Sequence, residues 1–335
     1  MMKYFFTIDT GTTNTRVVLF TSEYQTVGSK KVEAGVRDTA IDGNNLKIKA
    51  AVKDCLENLL RENGLTYDDI ERVIASGMIT SNVGLLEIPH LVVPVGLQDL
   101  AEKTKAVLLD DVCPLPIYFI PGVKNSAGPI DLRNFEAMDI MRGEEVESIA
   151  VLSRFPAQKD YLLVLPGSHT KFVSINSDGK ITGCLTSING EILDAITRHT
   201  IIADAVGREF VRPGQYDRGM VLLGFATAQK SGIGRACFSG RILNQFVLSD
   251  KQKVANYILG VALQSDITAV KNSDALKVSH ETDVIVAGSG VLETAMADIL
   301  NKDGYFAQVQ SFRPEGDLPL SAMGCHIVAQ KCNLL

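Results

Sequence analysis

The segment that most constrains the fold is a polar turn between two short apolar strands near the start of the chain. The turn reads Asp9-Thr10-Gly11-Thr12-Thr13-Asn14-Thr15-Arg16, and residues 2–8 and 16–21 on either side predict a β-hairpin. Backbone N–H groups and threonine hydroxyls in such a turn can bind an anion, and Gly11 lets a ligand approach the backbone closely. Asp9, at the strand end, could hold a magnesium ion through water. A plain polar hairpin turn is the alternative interpretation.

A second segment repeats this layout in the middle of the chain. The apolar run 161–165 leads into Pro166-Gly167-Ser168-His169-Thr170-Lys171, and the apolar run 172–175 follows. Gly11 to Arg16 is thus echoed by Gly167 to Lys171, one residue shorter. Two halves that each open with such a hairpin would place a nucleotide in the cleft between them. The chain contains no G-x-x-x-x-G-K-[S/T] sequence, so the pattern is not a Walker A loop.

A third element with glycines follows a buried strand late in the chain. Residues 284–287 predict the strand, Gly288-Ser289-Gly290 the turn, and a helix continues to about residue 300. Glycines at a helix N-terminus let a flat or anionic ligand approach the backbone. Position 293 is Glu, so the turn does not complete the G-x-G-x-x-G pattern of dinucleotide-binding proteins.

A cluster of carboxylates precedes the second hairpin. It reads Asp139-Ile140-Met141-Arg142-Gly143-Glu144-Glu145, and a helix is predicted over about 144–154. Carboxylates at a helix N-terminus are stabilised by the helix dipole and stay ionised, as a general base must. The residues do not distinguish Glu144 from Glu145 as the base, and Asp139 is a third candidate. Arg142 could bind a carboxylate or a phosphate oxygen, or form a salt bridge with a neighbouring acid.

Length and composition limit the class of protein. A chain of 335 residues fits two domains, and its net charge of −6 argues against a nucleic-acid partner. No apolar run reaches the roughly 18 residues of a membrane helix. Six scattered cysteines without a C-x-x-C pair are typical of reduced thiols in a cytoplasmic protein. Further helices are predicted at 46–63, ending near Gly64, and at 96–107, with strands at 71–76 and 116–120.

These segments together resemble the 2-keto-3-deoxygalactonokinase family of the hexokinase/actin-type ATPase superfamily, over nearly the whole chain. Met141-Arg142-Gly143-Glu144-Glu145 and Pro166 to Lys171 are the most specific matches, whereas the first turn alone places only the superfamily. The further matching segments are 33–36, 76–84, 120–122 and 189–191. The chain departs from the family at Thr10 and Phe172, where an aromatic residue and Trp are usual.

The resemblance implies an α/β protein of two ribonuclease-H-like domains with an interdomain cleft. The N-terminal domain would span 1–140 and the C-terminal domain 141–335, with the last helix packing back on the first domain. The resemblance implies ATP and Mg²⁺ as cofactors, Asp9 as the metal-binding residue, and a cytoplasmic kinase without membrane or nucleic-acid partners, for which a homodimer is considered. The cofactor-binding residues would be Asp9, Gly11, Thr12, Thr13, Asn14, Arg16, Gly167, Ser168, His169, Lys171, Gly288, Ser289 and Gly290. The substrate-binding residues would be Gly35, Ser81, Asn82 and Arg142, and the catalytic residues Glu144, Glu145 and Arg142.

The implied activity is ATP-dependent phosphorylation of the terminal (6-) hydroxyl of 2-dehydro-3-deoxy-D-galactonate in galactonate breakdown. The substrate carboxylate would bind near Gly35, Ser81-Asn82 and Arg142, with Arg37 as a further candidate for its anchor. A related sugar-acid kinase, such as one acting on 2-keto-3-deoxygluconate, is the first alternative, because a loop lining can change the substrate without changing the reaction. A non-catalytic ATP-binding sensor of the same fold is the second.

Overall fold

Two β-sheets with the same strand arrangement organise the chain. The computed structural model describes residues 3–126, 128–156, 158–314, 316 and 318–332. The strands within these residues are β1 (Tyr4–Thr10), β2 (Thr15–Thr21), β3 (Thr26–Val32), β4 (Ile70–Gly77), β5 (Leu91–Val92), β6 (Lys105–Val107), β7 (Ile117–Phe119), β8 (Val123–Lys124), β9 (Ile140–Met141), β10 (Tyr161–Leu165), β11 (Thr170–Ile175), β12 (Ile181–Ser187), β13 (Asp283–Ala287) and β14 (Val309–Phe312).

The predicted echo between the two hairpins extends to the sheets that contain them. The first sheet has the order β3-β2-β1-β4-β7-β6 and the second has the order β12-β11-β10-β13-β14. In each, an antiparallel hairpin continues into a third antiparallel strand, and the first hairpin strand pairs on its other side with a parallel strand. Both predicted hairpins are confirmed. A small third sheet, β5-β8-β9, lies between them in sequence.

Helices connect and cover the sheets, which confirms the predicted α/β class. They are α1 (Val36–Asp42), α2 (Leu46–Asn63), α3 (Leu97–Lys103), α4 (Glu144–Leu152), α5 (Asn189–His199), α6 (Ala203–Val206), α7 (Arg218–Phe246), α8 (Lys251–Asn272), α9 (Val291–Asp303) and α10 (Leu320–Lys331). Short 3₁₀ turns occur at Tyr67–Asp69, Met78–Thr80 and Phe135–Ala137.

The predicted helix at 46–63 is confirmed, and the one at 96–107 is too long. Helix α2 buries one apolar face and ends at Gly64, whose φ of 66° is the left-handed conformation that glycine adopts without strain. Helix α3 ends at Lys103, and Lys105–Val107 instead pairs with β7 as an edge strand. Pairing with the neighbouring strand overrides local helix propensity there.

The core is divided by the helices that lie between the two sheets. One buried cluster joins the first sheet through Ile74, the second sheet through Leu163, and the intervening helices α4 and α10 through Val146 and Cys325. Helices α7 and α8 belong to a separate core on the second sheet, and α2 covers the first sheet. The carboxyl ends of β1 and β10 therefore lie at either side of one cleft.

The last helix contacts the first sheet. Met323 of α10 is buried with Phe5 and Phe20 of the β1–β2 hairpin, and the Arg72 guanidinium of β4 donates a hydrogen bond to the carbonyl of Ala329. The predicted boundary between residues 140 and 141 falls within β9 and stays a prediction. No helix in the described part of the chain is both long and apolar enough to span a bilayer.

Candidate active site

Both hairpin turns and the start of α4 line a single cavity of about 810 Å³. The sequence treats these segments as separate candidates, and the fold brings them together because β1, β10 and α4 all end or begin at the cleft. The predicted site residues that line the cavity are Gly11, Thr12, Thr13, Ser81, Asn82, Arg142, Glu144, Ser168, His169 and Lys171.

The first turn is held open by its own hydrogen bonds and by the start of α1. Gly11 N–H donates to the Asn14 carbonyl at 2.9 Å, and Arg37 N–H donates to the Thr12 carbonyl at 2.9 Å. A Cβ at Gly35 would lie 2.4 Å from the Thr12 oxygen, so this position admits only glycine. Gly35 therefore supports the turn from outside the cavity, whereas Thr12 and Thr13 are exposed in it.

The remaining polar residues of the first hairpin lie beside the cavity. Asn14 donates its side-chain N–H to the Thr13 hydroxyl at 2.8 Å. Arg16 sits directly opposite Asp9 across the β1–β2 pair. Both residues therefore shape and charge the turn, and their predicted contact with a nucleotide stays a prediction.

The second turn packs against the N-terminus of α5. The ring Nε2 of His169 is 2.7 Å from Oε1 of Glu191, and Glu191 N–H donates to the Ser168 carbonyl at 3.3 Å. A Cβ at Gly190 would lie 2.3 Å from the Gly167 oxygen. The turn and the helix thus form one unit, with backbone N–H groups of an eleven-residue helix close to the predicted phosphate position.

Lys171 is buried at the base of the second turn and is engaged by the protein. Its Nζ donates to the Ile140 carbonyl at 3.0 Å and to the hydroxyl of Thr186, and it lies 3.9 Å from Oε1 of Glu144. The side chain is 5% exposed, so its charge acts at short range in a dry environment. The lysine therefore ties the second hairpin to the carboxylate segment.

The three candidate bases occupy different environments. Glu144 lines the cavity. Glu145 is fully buried, and its two carboxylate oxygens accept the Gly143 N–H at 2.9 and 2.8 Å. Burial raises the pKa of Glu145 well above its usual value, and the neighbouring carboxylate of Glu144 adds to the rise. Asp139 accepts hydrogen bonds from the backbone N–H and hydroxyl of Thr186, at 2.5 and 2.9 Å, and is not among the residues that line the cavity.

Two further carboxylates, those of Asp9 and Glu147, lie close enough to Glu144 to feel its charge, but neither residue is among those that line the cavity. Burial raises the pKa of Asp9 to about 6; the Arg16 guanidinium opposes the rise and Glu144 adds to it. Burial, Asp9 and Glu144 raise the pKa of Glu147 to about 8. The sequence analysis missed Glu147, although it stands three residues after Glu144 and therefore on the same helix face.

The donor set fits a magnesium ion held partly by water and phosphate. Carboxylate oxygens are the protein ligands that Mg²⁺ prefers, and it usually takes only one or two of them. Burial raises the pKa values of Asp9 and Glu147, and repulsion among the carboxylates of Asp9, Glu144 and Glu147 adds to the rise; a bound cation would offset this repulsion. In the described residues no group of three His, Cys, Asp or Glu side chains forms a complete metal site.

Arg142 bridges the end of β9 to the segment after β4. Its guanidinium donates to the Thr80 hydroxyl and to the Ile88 carbonyl, both at 2.7 Å, and lies 3.4 Å from Nδ1 of His90. Burial, together with the adjacent Arg142, lowers the pKa of His90 to about 4, so this ring is neutral at pH 7. His90 also lines the cavity, and the sequence analysis did not single it out because an isolated histidine gives no pattern.

Gly288, Ser289 and Gly290 lie in a second cavity on the far side of the second hairpin. This cavity of about 620 Å³ shares Phe210 and Leu292 with an intermediate cavity of about 590 Å³ lined by Gly167 and the start of α5. The intermediate cavity in turn shares Ser168 and Glu191 with the central one. An extended groove thus runs from the carboxylates to the glycine turn that precedes α9.

Known proteins resemble this chain in sequence. The sequence model of the 2-keto-3-deoxy-galactonokinase family matches residues 9–314. A 2-dehydro-3-deoxygalactonokinase of Escherichia coli (strain K12) is 26% identical over 301 residues, which cover 87% of each chain. A protein of Rhizobium meliloti (strain 1021), named as a probable 2-dehydro-3-deoxygalactonokinase, is 30% identical over 134 residues, which cover 40% of each chain.

A solved structure shares the fold. It is that of a protein from Sinorhizobium meliloti provisionally assigned as a 2-dehydro-3-deoxygalactonokinase, with a TM-score of 0.70 and 19% identity, covering 99% of this chain and 100% of that one. The family match and the shared fold, with its two sheets and paired hairpins, identify the chain as a carbohydrate kinase. The chain belongs to the 2-keto-3-deoxy-galactonokinase family.

Proposed function

We propose that the chain transfers the γ-phosphoryl group of ATP to the terminal (6-) hydroxyl of 2-dehydro-3-deoxy-D-galactonate, with Mg²⁺, in galactonate breakdown. The observation that carries this proposal is the shared cavity: both phosphate-type turns, the carboxylate of Glu144 and the polar residues Ser81 and Asn82 line the same space. The membership of the chain in the family supports the substrate class.

In the proposed complex, ATP extends along the groove from the two turns to the glycines before α9. The phosphates lie between the turns, where Thr12, Thr13 and Ser168 offer hydroxyl groups and the backbone offers N–H groups. The adenosine lies toward Gly288 and Gly290, whose φ values of 138° and 112° require glycine and leave the backbone open. Asp9, with Glu147 behind it, would hold Mg²⁺, which when bound neutralises charge on the phosphates.

Glu144 is the proposed general base. The substrate hydroxyl oxygen forms a bond to the γ-phosphorus, the bond from that phosphorus to the ADP oxygen breaks, and the hydroxyl proton goes to the Glu144 carboxylate. Glu144 faces the cavity, whereas both carboxylate oxygens of Glu145 accept the Gly143 N–H. Glu145 is therefore proposed as a positioning residue that fixes the first turn of α4.

Lys171 and Arg142 support the proposed reaction while they keep their hydrogen bonds to the protein. Lys171 places a positive charge 3.9 Å from Glu144 and beside the second turn, where it offsets charge that develops during phosphoryl transfer. Arg142 holds the segment around Thr80 and Ile88 against β9, so that Ser81 and Asn82 face the substrate.

An ADP-release assay with ATP and Mg²⁺ tests the proposal. The substrate panel is 2-keto-3-deoxy-galactonate, 2-keto-3-deoxygluconate, galactonate, glucose and glycerol. We expect strong turnover on the first compound and weak turnover on its epimer. Preferred turnover on another member would replace the substrate, and ATP binding without turnover on any member would contradict the proposed reaction.

A further inference from the structure

Within the described ranges, the side chains of three Lys and Arg residues line the active-site cavity: Arg37, Arg142 and Lys171. Three carboxylates, Glu87, Glu144 and Glu191, line it as well. The formal charges of these six residues cancel, so an anionic sugar acid is attracted to this space only where one of the cations has no protein partner. The question is which of the three cations the protein leaves available.

Two of the cations are committed to protein acceptors. Lys171 donates to the Ile140 carbonyl and to the Thr186 hydroxyl. Arg142 donates to the Thr80 hydroxyl and the Ile88 carbonyl, and the carboxylates of Glu145 and Glu87 compensate its charge. Both side chains would lose hydrogen bonds in a half-buried environment if they turned to a ligand, which is costly.

Arg37 is different. It is exposed on the first turn of α1, and its side chain makes no hydrogen bond or ion pair with any residue that the structure describes. The neighbouring acid, Asp38, is already engaged by Lys47 and by the Gly35 N–H. Among the residues that the structure describes, the guanidinium of Arg37 is thus a cation in the cavity wall that forms no ion pair, although its charge helps to lower the pKa of Asp38.

The backbone of Arg37 is fixed even though its side chain is unpaired. Its N–H donates to the Thr12 carbonyl at 2.9 Å, and the adjacent Val36 N–H donates to the Gly11 carbonyl at 3.2 Å. The position of Arg37 relative to the first phosphate turn is therefore set by two backbone hydrogen bonds. A substrate that places its terminal hydroxyl at Glu144 can therefore extend its carboxylate end along the side of the cavity that carries Arg37.

We propose that Arg37 binds the C1 carboxylate of the substrate and is the residue that selects sugar acids over neutral sugars. This inference rests on the proposed function. A guanidinium matches a carboxylate with two parallel N–H···O bonds, which lysine cannot reproduce. Arg37 takes no part in the chemical step, so its loss weakens binding of the acid more than it slows turnover.

The test compares Arg37→Ala and Arg37→Lys with the wild-type protein on two substrates, 2-keto-3-deoxy-galactonate and its methyl ester. Arg235→Ala is the matched control, because Arg235 is also an exposed arginine but lies on α7, outside the cavities described here. We expect Arg37→Ala to raise KM for the acid by about 10- to 100-fold, with kcat within about threefold. The KM for ATP, the unfolding midpoint and kcat/KM for the ester stay close to wild type, and Arg37→Lys restores only part of the acid affinity.

Other outcomes would overturn the inference in distinguishable ways. If the wild type turns over the acid and Arg37→Ala keeps its KM within twofold, the carboxylate binds elsewhere while the proposed function stands. An equal loss for acid and ester would assign Arg37 to the shape of the first turn. A wild type that turns over only neutral compounds would overturn both this inference and the proposed function.

Discussion

Nζ of Lys171 lies 3.9 Å from Oε1 of Glu144, and this pair joins the second phosphate turn to the first turn of α4. The relationship matters because the two residues come from different parts of the fold. Lys171 is the second residue of β11 in the second hairpin, whereas Glu144 begins the helix that lies between the sheets. A movement of the second sheet relative to α4 would therefore change the distance between the proposed base and Lys171.

Replacing the proposed base separates Glu144 from Glu145. We expect Glu144→Gln to reduce kcat by on the order of 10²–10⁴-fold, because the amide cannot accept the hydroxyl proton. Glu145→Gln keeps one oxygen for the Gly143 N–H and should reduce kcat less than tenfold. Steady-state kinetics and ATP binding by calorimetry check this, and the reverse order of effects would make Glu145 the base.

The hydrogen bonds that hold Lys171 should be measurable in turnover. Thr186→Val removes the hydroxyl that accepts from Lys171 and donates to Asp139, so the lysine is less firmly placed beside Glu144. We expect kcat to fall by roughly tenfold, about 1.4 kcal/mol of transition-state stabilisation. Thr182→Val on the same strand is the control, because its hydroxyl bonds to Ser174 instead. Equal kcat in the two variants would refute the role of Thr186.

The contact between α5 and the second turn should tolerate no added methyl group. A Cβ at Gly190 would lie 2.3 Å from the Gly167 oxygen and 2.5 Å from Cα of Ser168, so Gly190→Ala must displace the turn. We expect a loss of about 1–3 kcal/mol in the free energy of unfolding and a higher KM for ATP. Gly234→Ala is the control, since no atom lies within 4 Å of its added Cβ. A normal KM for ATP in Gly190→Ala would remove the turn from the nucleotide site.

Deprotonation of Glu147 should lower the free energy of unfolding of the ligand-free protein as the pH rises. Its pKa is raised from 4.5 to about 8 in the folded state, so between these values the folded state keeps a proton that the unfolded state releases. The free energy of unfolding therefore falls with rising pH across this window. Asp9 contributes with the same sign between 3.8 and about 6.

Glu147→Gln tests this dependence. We expect the variant to gain on the order of 1 kcal/mol over wild type at pH 8.5 and to match it near pH 3, where the carboxyl group is neutral in both states. Thermal unfolding at the two pH values measures the difference, and Glu281→Gln on the surface serves as the control. A constant offset at both pH values would show that packing, not charge, explains the change.

Much of the fold was predictable because its signals are local. The hairpins and α2 follow from apolar runs, periodicity and the glycine at position 64, and the family resemblance fixed how they are arranged. The strand Lys105–Val107 was missed because its formation depends on β7, which lies ten residues further along the chain. No local pattern distinguishes it from the last turn of α3.

Candidate residues for the site could be named from the sequence, but the hydrogen-bond partners of each residue could not. The sequence named Glu144, Glu145 and Asp139 together, and only the fold shows one facing the cavity, one bonded to its own turn and one bonded to Thr186. The sequence also named Arg142 as a candidate ligand for the substrate, which stays a prediction; only the fold shows its guanidinium bonded to Thr80 and Ile88. The partners of Asp139 and Arg142 lie more than 40 positions away in the sequence.

The position of α10 has a consequence for how the protein is made. Phe5 and Phe20 near the start of the chain are buried by Met323 and Ala322 near its end. During synthesis, one apolar face of the first hairpin therefore stays exposed until more than 300 further residues have left the ribosome. We expect the nascent chain to be a target for chaperones until its last helix arrives, because exposed apolar strands aggregate readily.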